Sequence, residues 1–267
     1  MALGFLEFDV YLTLSVSSVS KREQFEQALI ASENVSLIIE LGGEYEYAVT
    51  ICSRNPSEVS TFFDNLGKRF GDVIFAKAVA IRRVYTGFGR KYLMNKKVNP
   101  IVQMQFEKKT CTIDETDHEV LKGLSRNDFS SIAVLARQLK IPATTLEYRI
   151  KKLKENKIIV GSIYGISMRF LGVLSYRLIL YARGSTEAFR NQLFEFCGQH
   201  PNIINFVHGI GAWDFELGVE VERDSDIVPI VRALQAKFVD QINKITTCPI
   251  FRFLKVQNYP FSAYPLG

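Results

Sequence analysis

Phe8, Val10, Leu12, Leu14 and Val16 alternate with Asp9, Tyr11, Thr13 and Ser15, the two-residue period of a strand with one buried face. Phe25, Ala28 and Leu29 then fall at helical spacing, and two extended runs follow, Val35 to Leu41 and Tyr45 to Cys52. Gly42-Gly43 between them signals a hairpin, because glycine enters positive φ without a Cβ clash. Val59, Phe62, Phe63, Leu66 and Phe70 return to helical spacing, and Val73 to Tyr85 reads as a last strand. This β-α-β-β-α-β order is that of a ferredoxin-like unit.

The pattern recurs 168 positions later. Gly43-Glu44-Tyr45-Glu46-Tyr47 answers to Gly211-Ala212-Trp213-Asp214-Phe215, and the register holds without gaps from Gln24 and Gln192 to Ile74 and Ile242. The second copy predicts a strand at 174–183, a helix at 186–199, strands at 202–209 and 213–221, a helix at 225–238 and a strand at 242–256. Such a fold alone does not give a function, so the segment between the copies decides.

Tyr85 to Cys111 loses periodicity and gathers Arg90, Lys91, Lys96, Lys97, Lys108 and Lys109 against Glu107, the composition of a basic linker. Beyond it, Asp114 offers an N-cap to a helix whose buried face is Val120, Leu121 and Leu124. Ser130 is expected to cap a second helix, with Ile132, Leu135, Ala136 and Leu139 inward. Lys140-Ile141-Pro142 turns into a third helix that buries Leu146, Ile150 and Leu153, and Ile158 to Ile163 is expected to close the unit as a wing. The exposed face of the third helix carries Thr144, Thr145, Tyr148, Arg149, Lys151 and Lys152, a set suited to base edges and phosphates in a major groove.

Charge sharpens that reading. The 267 residues carry a net charge of +5, and the pI is near 8.9. Between Arg137 and Val160, Arg137, Lys140, Arg149, Lys151, Lys152, Lys154 and Lys157 face only Glu147 and Glu155, so the excess is concentrated at this helix. Apolar residues make up 47% and charged ones 23%, which excludes disorder and supplies a core. Cys52, Cys111, Cys197 and Cys248 are widely spaced, with no metal-binding pattern, and read as reduced thiols. No run approaches the length of a membrane span, and Glu7 and Asp9 interrupt the apolar start, so a cytoplasmic protein with no membrane partner is expected. No nucleophile elbow, P-loop or metal cluster is recognised, so neither enzyme activity nor a cofactor or metal is expected.

Ile113 to Leu121 together with Arg149 to Ile159 resembles the DNA-binding domain of the Lrp/AsnC (feast/famine) transcription regulators. Leu174 to Tyr259 resembles the effector-binding and oligomerising domain of that family, including its turn Gly209-Ile210-Gly211-Ala212-Trp213-Asp214-Phe215. The fold expected is therefore α+β, two ferredoxin-like βαββαβ domains flanking a winged helix-turn-helix. The boundaries are 1–93, a basic linker at 94–111, the winged unit at 112–168 and the second ferredoxin-like domain at 169–267.

The resemblance implies sequence-specific binding of double-stranded DNA, modulated by a small effector that is commonly an amino acid, in a homo-oligomer of at least two chains. Lys140 stands where the family usually has glycine, Pro142 where a capping serine is common, and Glu46 where the second copy has the usual aspartate. DNA contacts are expected from Ser130, Ser131, Thr144, Thr145, Tyr148, Arg149, Lys151 and Lys152. Effector contacts are expected at the glycine turns, from Gly209, Gly211, Trp213 and Asp214 and from Gly43, Tyr45 and Glu46. His118 reads as a surface or structural residue, His200 as a loop residue, and His208 as a neighbour of the second turn. Two rival functions are a tetrapyrrole-processing enzyme like sirohaem decarboxylase, and a sensor or assembly module without DNA binding. The two effector-like domains also have the option of pairing within one chain.

Overall fold

The structure, a computed structural model, describes residues 2–16, 18–94, 102–105, 111–126, 129–161 and 168–261. The first unit consists of β1 (Leu6–Leu14), α1 (Val19–Ala31), β2 (Val35–Leu41), β3 (Tyr47–Ser53), α2 (Pro56–Phe70) and β4 (Ile74–Gly87). The intervening elements are α3 (Lys91–Met94), β5 (Val102–Gln105), α4 (Glu115–Arg126), α5 (Ile132–Gln138) and α6 (Ala143–Glu155). The second unit is β6 (Leu174–Ala182), α7 (Glu187–Gln199), β7 (Ile203–Gly211), β8 (Phe215–Val221), α8 (Ile227–Lys237) and β9 (Ile242–Val256).

The 168-residue offset reaches down to single hydrogen bonds. Ser18 caps α1 by accepting from the Lys21 N–H, and Thr186 caps α7 by accepting from the Phe189 N–H, both pairs 168 apart. Within each unit the strand order is that of a ferredoxin-like sheet, β4-β1-β3-β2 and β9-β6-β8-β7. The helices α1 and α2 cover the first sheet over Phe25, Leu29, Phe63 and Leu66, while α7 and α8 cover the second over Phe189, Leu193, Ile230 and Leu234.

The two sheets then join at both edges. The far half of β4 pairs with β7, from Ala80 opposite Gly211 to Gly87 opposite Asn205, and the far half of β9 pairs with β2, from Ile250 opposite Leu41 to Val256 opposite Leu37. Eight strands thus close into one ring, β1-β3-β2-β9-β6-β8-β7-β4 and back to β1, with β5 appended to β4. Tyr11, Ile39, Tyr45, Ala80, Ile179, Trp213 and Cys248 fill the space between the sheets. The ring satisfies sheet edges that would otherwise be open for pairing.

The helical unit forms on its own core of Val120, Leu121, Leu135, Ala136, Leu146 and Leu153. Asp114 caps α4 as expected, its carboxylate accepting the Asp117 N–H at 2.7 Å. The second helix is capped one residue later than the sequence suggests: Ser131, not Ser130, accepts from the Val134 N–H. Both α5 and α6 end in the Schellman arrangement. After α5, Lys140 N–H donates to Arg137 O and Ile141 N–H to Ala136 O; after α6, Lys157 N–H donates to Lys154 O and Ile158 N–H to Leu153 O. Lys140 and Lys157 occupy the left-handed position of these motifs, at φ 54° and 55°.

Part of the expected wing, Ile158 to Gly161, is turn and coil rather than strand, and Ser162-Ile163 lies outside the described residues. The basic linker contains the short strand β5, while Lys96, Lys97, Lys108 and Lys109 lie outside the described residues. Both ends of the described chain pack into the helical core: Leu3 and Phe261 lie against it, Tyr259 is buried within it, and Cys111 N–H donates to Ala2 O at 2.7 Å.

Candidate functional site

The third helix of the helical unit, α6, buries Leu146 and Leu153 and turns Thr144, Tyr148, Lys151 and Lys152 outward, with Tyr148 66% exposed. Thr145 is half-buried, and Ser130 and Ser131 are exposed at the start of α5. Arg149 has a different environment from the lysines. Its Nη1 donates to both Asp114 carboxylate oxygens at 2.8 Å and to Asp117 Oδ1 at 2.7 Å, which ties α6 to the first turn of α4. Those carboxylates hold the guanidinium above its ordinary pKa, so the charge is retained but spent inside the unit. Lys151 sits 4.0 Å from Glu155 across one exposed helical turn, too loose to withdraw it from solvent. The outward face therefore offers hydroxyls, a phenol and two lysines on a helix fixed from behind.

The glycine turns lie at the joints of the ring. Gly211, at φ 147°, is paired with Ala80, and a Cβ there would stand 2.3 Å from Val79 O and 2.7 Å from Ala80 Cα. A Cβ on Gly209 would touch Ala80 and Ile81 at 3.4 Å. Gly43, at φ 96°, turns the first hairpin. The acids of the two turns act alike, since Glu46 accepts the Leu14 N–H at 3.0 Å and Asp214 accepts the Ala182 N–H at 2.7 Å, again 168 positions apart. Each satisfies the last donor of its unit's first strand.

The aromatic partners are interior. Trp213 is 2% exposed, meets Tyr11 edge-on at 4.8 Å and donates Nε1–H to Glu216 Oε1 at 2.9 Å. The Tyr45 hydroxyl lies 3.3 Å from that of Tyr181. Around them runs a buried polar network that sequence reasoning missed. Tyr11 OH donates to Glu216 Oε2 at 2.8 Å, Arg82 holds the Asp9 carboxylate through Nε and Nη2, and Thr50 donates to Asp9 at 2.7 Å. Burial, and then the Asp9 charge, raise the Glu216 pKa against the pull of Arg177 and Arg82. The free space beside this network is about 10 Å³, room for a single water.

A larger hollow of about 450 Å³ lies elsewhere on the second unit, lined by Tyr92, His200, Pro201, Asn202, Val221, Glu222, Asp226, Pro229 and Ile230. Of the segment after β4, Tyr92 lines it, and that segment is tied to the second unit. Lys91 Nζ donates to Cys197 O and Gly198 O at the C-terminal end of α7, and Arg90 and Tyr92 both bond the Glu220 carboxylate. Of the expected effector residues, none lines this hollow. The histidines stay apart in role. His118 is buried with Nδ1 2.9 Å from the Tyr259 hydroxyl, His200 accepts the Asn202 N–H, and His208 stacks on Phe215. Burial, with Arg83 and Arg190 nearby, pushes the His208 pKa down to about 4. Among the described residues no group of three or more His, Cys, Asp or Glu is placed to hold a metal, and no helix is long and apolar enough to cross a membrane.

Comparison with known proteins agrees with the helical geometry. Residues 113–160 match the family model for a winged helix-turn-helix DNA-binding domain. Two curated relatives are HTH-type transcriptional regulators: one from Pyrococcus abyssi, 34% identical over 124 residues, and one from Pyrococcus furiosus, 31% identical over 123 residues. Each match covers 45% of this chain and 80% of the relative. Among solved structures the sirohaem decarboxylase NirDL shares the fold, with a TM-score of 0.64 and 12% identity over 98% of this chain and 76% of that one. A family-model match over α4 to α6, together with regulators above 30% identity that the chain covers for most of their length, identifies the group: the chain belongs to the HTH-type transcriptional regulators.

Proposed function

We propose that the chain reads double-stranded DNA in a sequence-specific manner through α6, and that a small effector held by the second unit modulates that binding. The observation that carries the DNA half is the outward face of Thr144, Tyr148, Lys151 and Lys152 on a helix locked behind by Arg149, Leu146 and Leu153. Base edges fall to Thr144, Thr145 and Tyr148, phosphates to Lys151 and Lys152 and to Ser130 and Ser131 at the start of α5.

For the effector, volume favours the hollow beside His200, which has about 450 Å³ where small-molecule sites need some 300 Å³ or more; the space beside Tyr11 and Glu216 has about 10 Å³, and none of the expected turn residues lines either. Glu222 and Asp226 supply carboxylates for an ammonium group, and His200, kept neutral by burial, and Asn202 supply uncharged polar partners, a combination that suits an amino acid. The turns then act as joints of the ring, with Gly209, Gly211, Trp213, Asp214, Gly43, Tyr45 and Glu46 transmitting rather than contacting the effector. A homo-oligomer remains the family expectation for the assembly that acts on DNA.

The test is capture of genomic duplex fragments by the purified protein, with and without a panel of amino acids. Enrichment of particular upstream sequences, shifted by one of the amino acids, is the expected result. Uniform recovery of all fragments at low salt would end the sequence-specific reading. The shared architecture of NirDL supports a second reading, tetrapyrrole processing. Addition of an iron tetrapyrrole discriminates: a shifted visible spectrum at stoichiometric protein favours the enzyme, an unchanged one the regulator.

A further inference from the structure

The two copies are not interchangeable across the ring. Asp9 and Arg177 are equivalent positions, 168 apart, and both border the same 10 Å³ space between the sheets. The other polar contacts that cross between units are equally one-sided. Tyr11 bonds Glu216, whose counterpart is Ala48; Arg252 bonds Glu40, whose counterparts are Val84 and His208; Lys244 bonds Glu44, whose counterparts are Ala76 and Ala212. Arg90 and Tyr92 bond Glu220, whose counterpart is Cys52.

A symmetric pairing would undo this. Two first units face to face would bring Asp9 against a second Asp9 and leave the buried Tyr11 hydroxyl facing alanine. Two second units would bring Arg177 against a second Arg177 and strip Glu216 of Tyr11 and Arg82. Asp9 keeps Arg82 of its own unit and Arg177 keeps Glu216 of its own, so what disfavours such pairs is the orphaned hydrogen-bonding groups. The interior is complementary only between unlike copies. An isologous contact, by contrast, requires a self-complementary patch.

We propose that the ring is reserved for the two copies of a single chain, so that one chain, with its single recognition helix, is the complete DNA-reading unit and recognises one unrepeated half-site. The inference rests on the DNA-binding reading above and departs from the homo-oligomer that the family resemblance implies. Each ring has one α6, whereas a palindrome needs two recognition helices related by a two-fold axis. Symmetry between chains is therefore not built into the ring.

The test uses the full chain twice. Sedimentation at micromolar concentration should give the mass of one chain, 30.4 kDa, without DNA. Selection from a library of randomised duplexes should then enrich a single unrepeated motif, and light scattering of the complex should count one chain per duplex. An inverted repeat bound by two chains overturns the proposal while leaving DNA recognition intact. Failure to enrich any sequence removes the DNA-binding reading and the half-site with it. A stable dimer in the sedimentation experiment that Arg252→Glu, which sets like charges against Glu40 inside one chain, leaves unchanged forms on another surface, and the claim that one chain is the complete DNA-reading unit falls while the ring stays within the chain. If the same substitution dissociates the dimer, the β9–β2 seam joins separate chains, and the proposal falls equally.

Discussion

Replacement of Gly211 by alanine puts a methyl group where the ring closes. Gly211 is paired with Ala80, and the Ala212 N–H donates to Val79 O at 2.9 Å. The added Cβ would stand 2.3 Å from that same oxygen and 2.7 Å from Ala80 Cα. Both neighbours are backbone, so the strand rather than a side chain has to move. At φ 147° the residue is also in a region that L residues rarely adopt, which costs about 1–3 kcal/mol. Overpacking adds about 1–3 kcal/mol. The sum, about 2–6 kcal/mol, is a large part of the 5–15 kcal/mol typical of a domain.

Trp213 provides the assay, because it is the sole tryptophan and lies 2% exposed between the sheets. Urea unfolding followed by its emission should show the midpoint of Gly211→Ala far below that of the unaltered protein. Gly67→Ala is the control: the site lies inside α2 with nothing within 4 Å of the new Cβ, so stability should rise by about 0.5–1 kcal/mol. If Gly211→Ala unfolds within about 0.5 kcal/mol of the unaltered protein, the β4–β7 joint is not closed as described.

Other substitutions test the helical unit and the charge balance. Lys140→Gly relieves a left-handed cost of about 1–2 kcal/mol and adds about 0.5–1 kcal/mol of chain entropy, so thermal unfolding should show a gain of up to about 1.5 kcal/mol. Arg149→Ala leaves the buried Asp117 without its ion pair and should destabilise the helical unit by about 2–3 kcal/mol, read by loss of helical circular dichroism at lower temperature. Between pH 6.5 and about 4, unfolded His208 takes up a proton that the folded residue refuses. Stability should therefore fall on acidification through that window by roughly 1–3 kcal/mol, and His208→Asn should flatten the urea-midpoint profile there.

What the sequence revealed and what it hid have physical causes. The β-α-β-β-α-β order and its 168-residue echo were legible because both copies keep their elements in register without gaps, so Leu6–Leu14 and Leu174–Ala182 coincide end to end. The ring itself was not. Alternation tells that the far half of β4 is extended, but not that its partner is β7, over a hundred residues away, rather than another chain. The glycine-aromatic-acid turns looked like a ligand pocket because close approach, an apolar wall and a carboxylate serve a joint equally well. Asp214 and Glu46 bond a strand end, and Trp213 packs on Tyr11. Arg149 groups with Lys151 and Lys152 in the sequence because all three are basic and lie off the apolar stripe of Leu146, Ile150 and Leu153. Its partners, Asp114 and Asp117, come from 35 and 32 positions earlier, beyond what periodicity reports. The hollow beside His200 gave no signal, since its rim is assembled from Tyr92, the ends of α7, β7 and β8, and the start of α8.

Fluorescence anisotropy of a labelled duplex, measured across a salt series for the unaltered protein and for Lys151→Ala/Lys152→Ala, tests the outward face of α6 most directly. Each lysine that neutralises a phosphate contributes about 0.9 to the slope of log affinity against log salt. The double variant should therefore bind more weakly at low salt and lose up to about 2 from the slope, while its urea midpoint stays that of the parent. An unchanged slope with unchanged affinity would mean that DNA, if bound at all, is bound by another surface.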